Sequence, residues 1–338
     1  MKDNVKKLWE LCFNDSKAFT ELYFTLRYRD DINLCIEKEN DVIAAMQLIP
    51  YDMIYFSQII PTTYISGACT HPEHRKQGIM GNLLAEALTH MYHNGTILST
   101  LIPAEPWLFD YYAKFGYLST FQYCRECFNC QTQRPIIIGN CTLLKNCLKE
   151  ETVCFIRQKQ AERNCYLLHS EEDFKVILED LNISGGHTFT LVKEKEIVAA
   201  AIAYPGNNSE WRVDELVYNS SIEKEALLSL ICKELKQDAL SIIAPHTENE
   251  VCTTLGMVRI IHAEKAIQHY AIAFPQEELH IHLTDKLIAE NNGYYSLSNG
   301  MCMKHDTEKV STFTEMSIEE LTQKLFATHY PYMNLMLN

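Results

Sequence analysis

The sequence predicts a mixed α/β (α+β) protein that contains one fold twice and ends in a smaller α+β part. Residues 64–117 read as a strand, a basic glycine-containing turn, a helix and a second strand. The same order of elements recurs between residues 170 and 257, which indicates an internal repeat of architecture. At 338 residues, the chain is also too long for one typical domain. Two copies of an α/β unit followed by a shorter third unit account for all three observations.

Composition narrows the classes of protein to which the chain can belong. Its 44 acidic and 30 basic residues give a formal net charge of −14. This balance argues against general nucleic-acid binding, because phosphate contacts need a basic face. The charge is compatible with a small cationic substrate, and also with an acidic surface that only keeps the protein in solution. A hydrophobic content of 47% with 22% charged residues is typical of a globular chain with ample core.

Hydropathy and cysteine usage predict a cytoplasmic protein. There is no run of 18 apolar residues, so no transmembrane helix is expected. The apolar stretch within the first 13 residues is too short and too interrupted for a signal peptide. The 13 cysteines are scattered through apolar contexts, which favours reduced, buried thiols.

One cysteine cluster could suggest a metal site. Cys124, Cys127 and Cys130 form a C-x-x-C-x-x-C pattern that zinc or an iron–sulfur cluster could use. The surrounding residues read as an extended strand, in which residues three apart point to opposite faces. His280 and His282 alternate along another predicted strand without a third ligand nearby in sequence. No metal is therefore expected.

The chain begins with helices and an antiparallel meander. Two helical segments are predicted within residues 1–29, the second capped by Asp15 or Ser16. Strands are predicted at residues 33–37, 42–50 and 54–59. They lead into the strand that feeds the basic turn.

The stretch that follows has the form of a phosphate-binding crossover. Tyr64 to Thr70 is an apolar and β-branched strand, and residues 73–78 form a basic turn. An apolar stripe at helical spacing comes next, made of Leu83, Leu84, Ala87, Leu88 and Met91. Free N–H groups and the positive end of such a helix attract an anion, and Gly78 lets the backbone approach it closely. An ordinary strand–helix crossover with a solvated basic turn is the alternative.

A second strand at 96–101 and a short helix at 106–114 follow, and the helix leads into Phe115-Gly116-Tyr117. This order resembles the acetyl-CoA core of the GNAT N-acetyltransferases, with its R-x-x-G-x-G/A pyrophosphate loop and its closing F-G-[YF]. Arg75-x-x-Gly78 matches the loop, whereas Met80 stands where the last Gly or Ala is usual and Gly81 comes one place later.

The repeat lacks the residues that would bind phosphate. Strands are predicted at 187–193, 197–204, 211–218 and 239–244, with a helix before the first and another before the last. The turn of the repeat, residues 218–221, has no glycine and no Arg or Lys, and Met257 takes the place of the closing tyrosine. The second copy is therefore expected to be degenerate and non-catalytic.

The last part changes character. An alternating strand at 279–285, hairpin turns at Asn292-Gly293 and Asn299-Gly300, and a capping box at Ser317 and Glu320 predict a small α+β domain. The three parts together resemble the Eis-like (enhanced intracellular survival) acetyltransferases. The features that match most specifically are listed here: HPEHRKQG at 71–78, KFGY at 114–117, the hairpin at 284–300 and the P-Y-M ending at 331–333.

The resemblance implies three domains and an oligomer. They are a catalytic GNAT domain at 1–131, a degenerate GNAT-like domain at 132–265, and a short SCP2-like domain at 266–338 whose C-terminal tail reaches the active site. It also implies a homo-oligomer, a trimer or a hexamer built from trimers. The third domain is shorter than is usual for the family, so a lipid-carrier cavity is not assured.

The resemblance also implies the site residues. Tyr117 would be the proton donor, and the terminal carboxylate of Asn338 would be the base, since an α-carboxyl is ionised at neutral pH. Acetyl-CoA is the expected cosubstrate, and the residues expected to bind it are Ala68, Cys69, Thr70, Arg75, Lys76, Gln77, Gly78, Ile79, Met80, Gly81, Tyr112 and Ala113. Histidines 71 and 74 lie beside this loop and are expected to be surface residues.

Two classes of function remain open on the sequence. The first is an acyl-CoA-dependent N-acetyltransferase that acetylates a primary amine of a small cationic or lysine-like acceptor. The second is a non-catalytic CoA- or lipid-binding module. The intact Arg75-x-x-Gly78 and Tyr117 favour the enzyme.

Overall fold

The structure, a computed structural model, describes residues 1–130, 140–147, 149–206, 210–246, 252–305 and 313–336. It comprises two compact units. The first contains residues 1–121 and 254–331, and the second contains residues 122–253 with the segment that begins at Tyr332. The third part of the sequence thus belongs to the same compact unit as the first part. The domain boundaries at 131/132 and 265/266 stay predictions.

The first unit begins with helices and a mixed sheet. Its elements up to the unit boundary are α1 (Lys2–Cys12), α2 (Lys17–Leu22, continued by a π-helical turn Tyr23–Arg27), β1 (Asn33–Lys38), β2 (Asp41–Tyr55), β3 (Gln58–Thr70), α3 (Ile79–His93), β4 (Leu98–Leu101), α4 (Pro106–Ala113) and β5 (Leu118–Asn129), which runs on into the second unit. Where two strands were predicted at 42–50 and 54–59, β2 is continuous to Tyr55. The chain turns at Phe56 and Ser57, which have left-handed φ values of 45° and 68°. Glycine and asparagine are the residues usual in this region, so the turn could not be predicted from the residue types.

Helices cover both faces of this sheet. β12 (Cys252–Ile260) also enters from the second unit, and the strand order is β1-β2-β3-β4-β12. Trp9 of α1 packs with Val42, Ala45 and Cys69 on one face. The predicted stripe of α3 packs with Ala44, Met46 and Ile65 on the other. Burial on both faces explains why β2 is apolar along most of its length.

The rest of the first unit is a four-stranded sheet with two helices. Its elements are α8 (Ala263–Ala273), β13 (Leu279–Thr284), β14 (Gly293–Ser298), β15 (Met301–His305), β16 (Thr314–Ser317) and α9 (Ile318–Phe326), in the strand order β15-β14-β13-β16. The predicted capping box starts α9, where Ser317 Oγ accepts from Glu320 N–H. Buried contacts join this part to the first sheet, for example the Tyr55 hydroxyl, which donates to the carbonyl of Leu325 at 2.9 Å.

The second unit repeats the arrangement of a sheet between helices. Its further elements are β6 (Cys141–Lys145), α5 (Glu150–Ala161), β7 (Tyr166–Leu168), α6 (Glu171–Ile183), β8 (His187–Lys193), β9 (Glu196–Pro205), β10 (Trp211–Tyr218), α7 (Ser221–Leu235) and β11 (Ala239–Pro245). The strand order is β5-β11-β10-β9-β8-β6. Helix α7 packs on one face of the sheet, and α5 and α6 pack on the other.

The cysteines differ in one respect from the prediction. Reduced thiols were expected, but Cys130 and Cys232 are joined by a disulfide in the second unit. They are 102 residues apart in sequence, so no local pattern could have paired them. Cys124 and Cys127 lie on β5, as the strand prediction required.

Across the described residues, no three His, Cys, Asp or Glu side chains are grouped as a metal site would need. No helix in this part of the chain is long and apolar enough to span a membrane.

Candidate active site

The basic turn of the first unit has the backbone of an anion-binding loop. After β3 ends at Thr70, a 3₁₀ turn spans residues 72–74 and α3 begins at Ile79. Gly78 caps α3 with a left-handed φ of 77°, and Lys76 is also left-handed at 63°. A Cβ at Gly78 would meet no atom within 4 Å, so the glycine is required for its backbone angle and not for space. The loop is exposed from Arg75 to Gly78.

The first turn of α3 presents backbone donors beside this loop. Asn82 N–H donates to Gly78 C=O at 3.0 Å, so the N–H groups at the start of the helix precede the first intrahelical bond. The Arg75 Nε group donates to the carbonyl of Thr70 at 3.1 Å, which holds the guanidinium against the end of β3. Free helix N–H groups and a fixed cation suit a pyrophosphate.

Strands β3 and β4 separate next to the loop. They pair in parallel only from Thr62 to Tyr64, whereas β3 continues through residues 65–70. A bulge interrupts the pairing of β3 with β2 around Gly67 and Ala68. Gly67 has a left-handed φ of 62°, and a Cβ there would overlap the Trp9 ring. The strand therefore leaves an open edge at Ala68, Cys69 and Thr70, where an amide-bearing chain such as pantetheine could pair.

Helix α4 packs closely against the start of α3. A Cβ at Gly81 would lie 3.3 Å from Phe115 Cζ and 3.9 Å from the Tyr111 hydroxyl. Because Gly81 has no side chain, Tyr111 and Phe115 can pack closely against the first turn of α3. Tyr112, on the same helix, is buried, and burial raises the pKa of its hydroxyl. Ala113, the last residue of α4, is exposed.

Tyr117 lies in the core just after α4. Its hydroxyl is 2.6 Å from Ser99 Oγ on β4, and its ring centroid is 5.9 Å from that of Tyr112. Burial raises the pKa of Tyr117, while the Ser99 hydrogen bond and the charge of Arg259 oppose this rise. The hydroxyl is therefore protonated at neutral pH and can donate a proton.

Two residues that the sequence reasoning missed support this tyrosine. Ser99 is a polar residue within the fully buried strand β4, which is the signal that could have identified it. Arg259 is fully buried on β12, donates to the carbonyl of Phe115 at 2.7 Å, and forms a 2.7 Å ion pair with Asp285. This ion pair connects distant parts of the sequence, so no local pattern could reveal it.

The model of the GNAT acetyltransferase domain matches residues 2–119, which contain the loop, the open strand and Tyr117. The first part of the chain is a GNAT acetyltransferase domain. The presence of this domain supports an acyl-CoA-dependent N-acetyltransferase activity. A sterol carrier protein domain matches residues 263–332.

Solved structures show the same fold over nearly the whole chain. A GCN5-related N-acetyltransferase from Anabaena variabilis is 18% identical, with a TM-score of 0.78 over 98% of this chain and 96% of that one. Eis1 from Mycobacterium abscessus is 14% identical, with a TM-score of 0.76 over 97% of this chain and 87% of that one. A probable N-acyltransferase from Enterococcus faecalis, 14% identical, has a TM-score of 0.78 over 95% and 86% of the two chains. No curated protein matches the sequence. The Eis-like order of parts predicted from the sequence is confirmed at the level of the fold.

The other candidate residues lie apart from Tyr117 or outside the described ranges. Asn338, the predicted base, lies outside the described residues. His71 and His74 are partly exposed next to the loop at 75–78, and their rings are 5.7 Å apart. His282 stacks on Tyr294 and hydrogen-bonds Glu315 on the four-stranded sheet.

Proposed function

We propose that the GNAT domain transfers an acetyl group from acetyl-CoA to a primary amine of a small cationic or lysine-like acceptor by direct attack. The observation that carries the proposal is the buried Tyr117 hydroxyl, 2.6 Å from Ser99 Oγ on β4, the strand that separates from β3 after Tyr64. Acetyl transfer needs a neutral amine, a polarised carbonyl and a proton for the departing thiolate, and it needs no protein nucleophile.

The residues around the open strand would hold the cosubstrate. Acetyl-CoA, when bound, supplies an activated thioester. The loop from Arg75 to Gly81 has free backbone donors and a fixed cation for the pyrophosphate. The edge of β3 at Ala68, Cys69 and Thr70 would pair with the pantetheine amides. Tyr112 and Ala113 would flank the thiol end.

Tyr117 and the terminal carboxylate would act as the general acid and the general base. Tyr117 would donate its hydroxyl proton to the sulfur as the carbon–sulfur bond breaks. The α-carboxylate of Asn338 would orient the acceptor ammonium and remove its proton, because such a carboxylate is ionised at neutral pH. A C-terminal extension would displace this carboxylate, so turnover should fall while acetyl-CoA affinity is kept. Turnover at the wild-type rate would exclude the carboxylate as base.

The acceptor class, location and assembly are part of the same proposal. A net charge of −14 favours a cationic acceptor. We place the enzyme in the cytoplasm, where acetyl-CoA is available, and as a trimer or hexamer. Light scattering at micromolar concentration tests the assembly, and a particle of 39.1 kDa would contradict it.

A panel of amines tests the reaction. Polyamines, aminoglycosides and lysine derivatives would be incubated with acetyl-CoA while free thiol release is followed, with the Tyr117→Phe variant as the control. Acceptor-dependent thiol release that the variant lacks supports the proposal. Acetyl-CoA binding without turnover on any amine would instead favour a CoA-binding module whose catalysis has lapsed.

A further inference from the structure

Two thiols of the second unit contact each other near the points where the chain enters and leaves that unit. The Sγ atoms of Cys124 and Cys252 are 2.7 Å apart, and one thiol donates a hydrogen bond to the other. Both residues belong to the second unit, which contains residues 122–253. Cys124 lies on β5, and Cys252 is the first residue of β12, the strand next to β5 in the sheet. The proposed acetyl transfer uses neither thiol.

The separation of the two sulfurs suits a covalent bond between them. A disulfide joins two sulfurs at about 2.05 Å and needs cysteines whose side chains face each other. The sulfurs of Cys124 and Cys252 reach that length if their 2.7 Å separation shortens by about 0.7 Å. Because neighbouring strands of one sheet carry the two residues, small side-chain rotations can close this gap.

The two thiols differ in their access to solvent. Cys252 is partly exposed, whereas Cys124 is only 2% exposed. A reagent in solvent can therefore reach Cys252 before it reaches Cys124. After Cys252 has reacted, Cys124 is the thiol that lies next to the modified sulfur. This order suits an attacking thiol and a resolving thiol.

Cys127 on the same strand is an internal reference for exposure. It lies three residues after Cys124, so its side chain points to the opposite face of β5. Cys127 is exposed, and the residue that pairs with it on β11 is Ser241. A reagent in solvent reaches Cys127 more readily than Cys252. Cys127 therefore shows what exposure alone does to a thiol of this unit.

We propose that Cys124 and Cys252 form an oxidation site, which low-molecular-weight disulfides convert into a disulfide bond. The Cys252 thiol loses its proton to solvent and attacks one sulfur of a disulfide RSSR, which forms Cys252–S–S–R and releases RS⁻. Cys124 then attacks the Cys252 sulfur. This step forms the Cys124–Cys252 bond, and the second RS⁻ leaves with the proton of Cys124. The two protein thiols lose two electrons, and RSSR is reduced to two RSH after the first RS⁻ takes up a proton.

The bond would tie together the two ends of the second unit. Cys124 and Cys252 are 128 residues apart in sequence, so one bond closes a covalent loop around nearly all of residues 122–253. The disulfide between Cys130 and Cys232 lies within this loop and leaves both ends of the unit outside it. A bond that closes a long loop lowers the entropy of the unfolded chain. Oxidation of Cys124 and Cys252 is therefore expected to stabilise the second unit.

Peptide mapping of the full chain tests the bond itself. Trypsin places Cys124 in the peptide 115–125 and Cys252 in the peptide 237–259, each without another cysteine. Reduced protein would be treated with oxidised glutathione at pH 8, blocked with N-ethylmaleimide and digested. We expect these two peptides to be joined by a disulfide. If glutathione modifies Cys127 while the two peptides stay unlinked, the proposal is wrong.

Single serine variants test the order of the two steps. In Cys124→Ser, a glutathione adduct should remain on Cys252, because the resolving thiol is missing. In Cys252→Ser, Cys124 should stay unmodified, because it is buried and its exposed partner is missing. Glutathione on Cys124 of Cys252→Ser, formed as fast as on Cys127, would contradict the proposed order.

Urea unfolding tests the effect on stability. The oxidised wild type should unfold at a urea concentration about 1–2 M higher than oxidised Cys252→Ser. The Cys130–Cys232 disulfide is common to both oxidised proteins and does not contribute to this difference. The reduced forms of the two proteins should unfold at the same urea concentration, which controls for any effect of the serine on folding. Equal unfolding of the linked wild type and oxidised Cys252→Ser would show that the bond does not stabilise the second unit.

Discussion

The two units contain the same strand–helix–strand crossover, and its two copies differ in the loop before the helix and in the contacts of the opened strand. In the first unit, β3 and β4 pair in parallel only as far as Tyr64, and a bulge follows at Gly67. In the second unit, β10 and β11 pair only at Arg212 and Val213, and a bulge follows at Asp214. Both copies therefore keep the separated strands that create a groove.

The connection between strand and helix is where the copies diverge. Eight residues, 71–78, connect β3 to α3, with left-handed backbone at Lys76 and Gly78. Only Asn219 and Ser220 connect β10 to α7. The Ser220 hydroxyl donates to Glu223 at 2.7 Å, which places a carboxylate at the helix end where an anion would bind. The second copy therefore lacks both the loop and the electrostatics for a phosphate.

In the second unit, the C-terminal segment that begins at Tyr332 contacts the opened strand β10 at its bulge. Asn334 Nδ2 donates to the carbonyl of Asp214 at 2.7 Å, directly at the bulge. The Tyr166 hydroxyl donates to Asn334 Oδ1 at 2.7 Å, and the ring of Tyr332 stacks on that of Tyr166. The backbone carbonyl at the bulge needs a hydrogen-bond partner, and here a side chain of the C-terminal segment supplies one.

The largest effect should come from Tyr117. Met257, predicted to take the place of this tyrosine in the second copy, instead lies within β12 of the first unit and pairs with Leu101. Tyr117→Phe removes only a hydroxyl, so turnover should fall about 10²-fold or more while acetyl-CoA affinity is kept. Tyr295→Phe is the matched control, because that buried hydroxyl also loses a hydrogen bond, to Asn291 at 2.8 Å, in the same unit. Steady-state kinetics and calorimetry give both quantities. Equal loss of turnover in both variants would show that Tyr117 acts only through folding.

Much of this comparison could be predicted from the sequence, because its signals are local. The glycine turn at 75–78, the stripe of α3 and the missing glycine of the repeat depend on residues within a few positions of one another. Ser99, Arg259 and Asn334 could not be assigned in the same way. Arg259 meets Asp285 across 26 residues, and Asn334 meets Asp214 across 120, so only the fold brings them together. The role of Asn338 stays a prediction.

Loss of the tail contact should affect stability next most strongly. Asn334→Ala removes partners from the carbonyl of Asp214 and from the buried Glu215, which should lower the free energy of unfolding by about 1–3 kcal/mol. Urea unfolding measures this change. The reference variant is Asn182→Ala at the end of α6. If Asn334→Ala unfolds at the wild-type urea concentration, the tail does not stabilise this unit.

Backbone strain at the phosphate loop should have a smaller effect, on affinity alone. Gly78→Ala keeps the space open but places an L-residue at a φ of 77°, which costs about 1–2 kcal/mol. The exposed free loop is expected to relieve this strain by leaving the left-handed geometry, and acetyl-CoA binding must restore it, so acetyl-CoA should bind about 5- to 30-fold more weakly. Gly185→Ala imposes the same strain in the second unit, at a φ of 70° with no atom within 4 Å, and should leave acetyl-CoA affinity unchanged. Calorimetry should also find one site per chain, and two sites would contradict the contrast between the copies.

The smallest effect at neutral pH concerns the Glu215 carboxylate, which accepts a hydrogen bond from Asn334 of the C-terminal segment. Burial acts to raise the pKa of Glu215, but the charge of Arg163 and hydrogen bonds from Arg163, Gln160 and Asn334 outweigh it and lower the pKa. A lowered folded-state pKa means that the unfolded chain takes up a proton first as pH falls. The stabilisation is therefore complete above the unfolded glutamate pKa of about 4.3 and is lost as pH falls through the lower folded value. Glu215→Gln should remove this contribution, so its free energy of unfolding should depend less on pH below that point than the wild-type value does. Urea unfolding at several acidic pH values measures the slopes, with Glu223→Gln as the control. If the free energy of unfolding changes with pH equally in wild type and Glu215→Gln, protonation of Glu215 is not linked to folding.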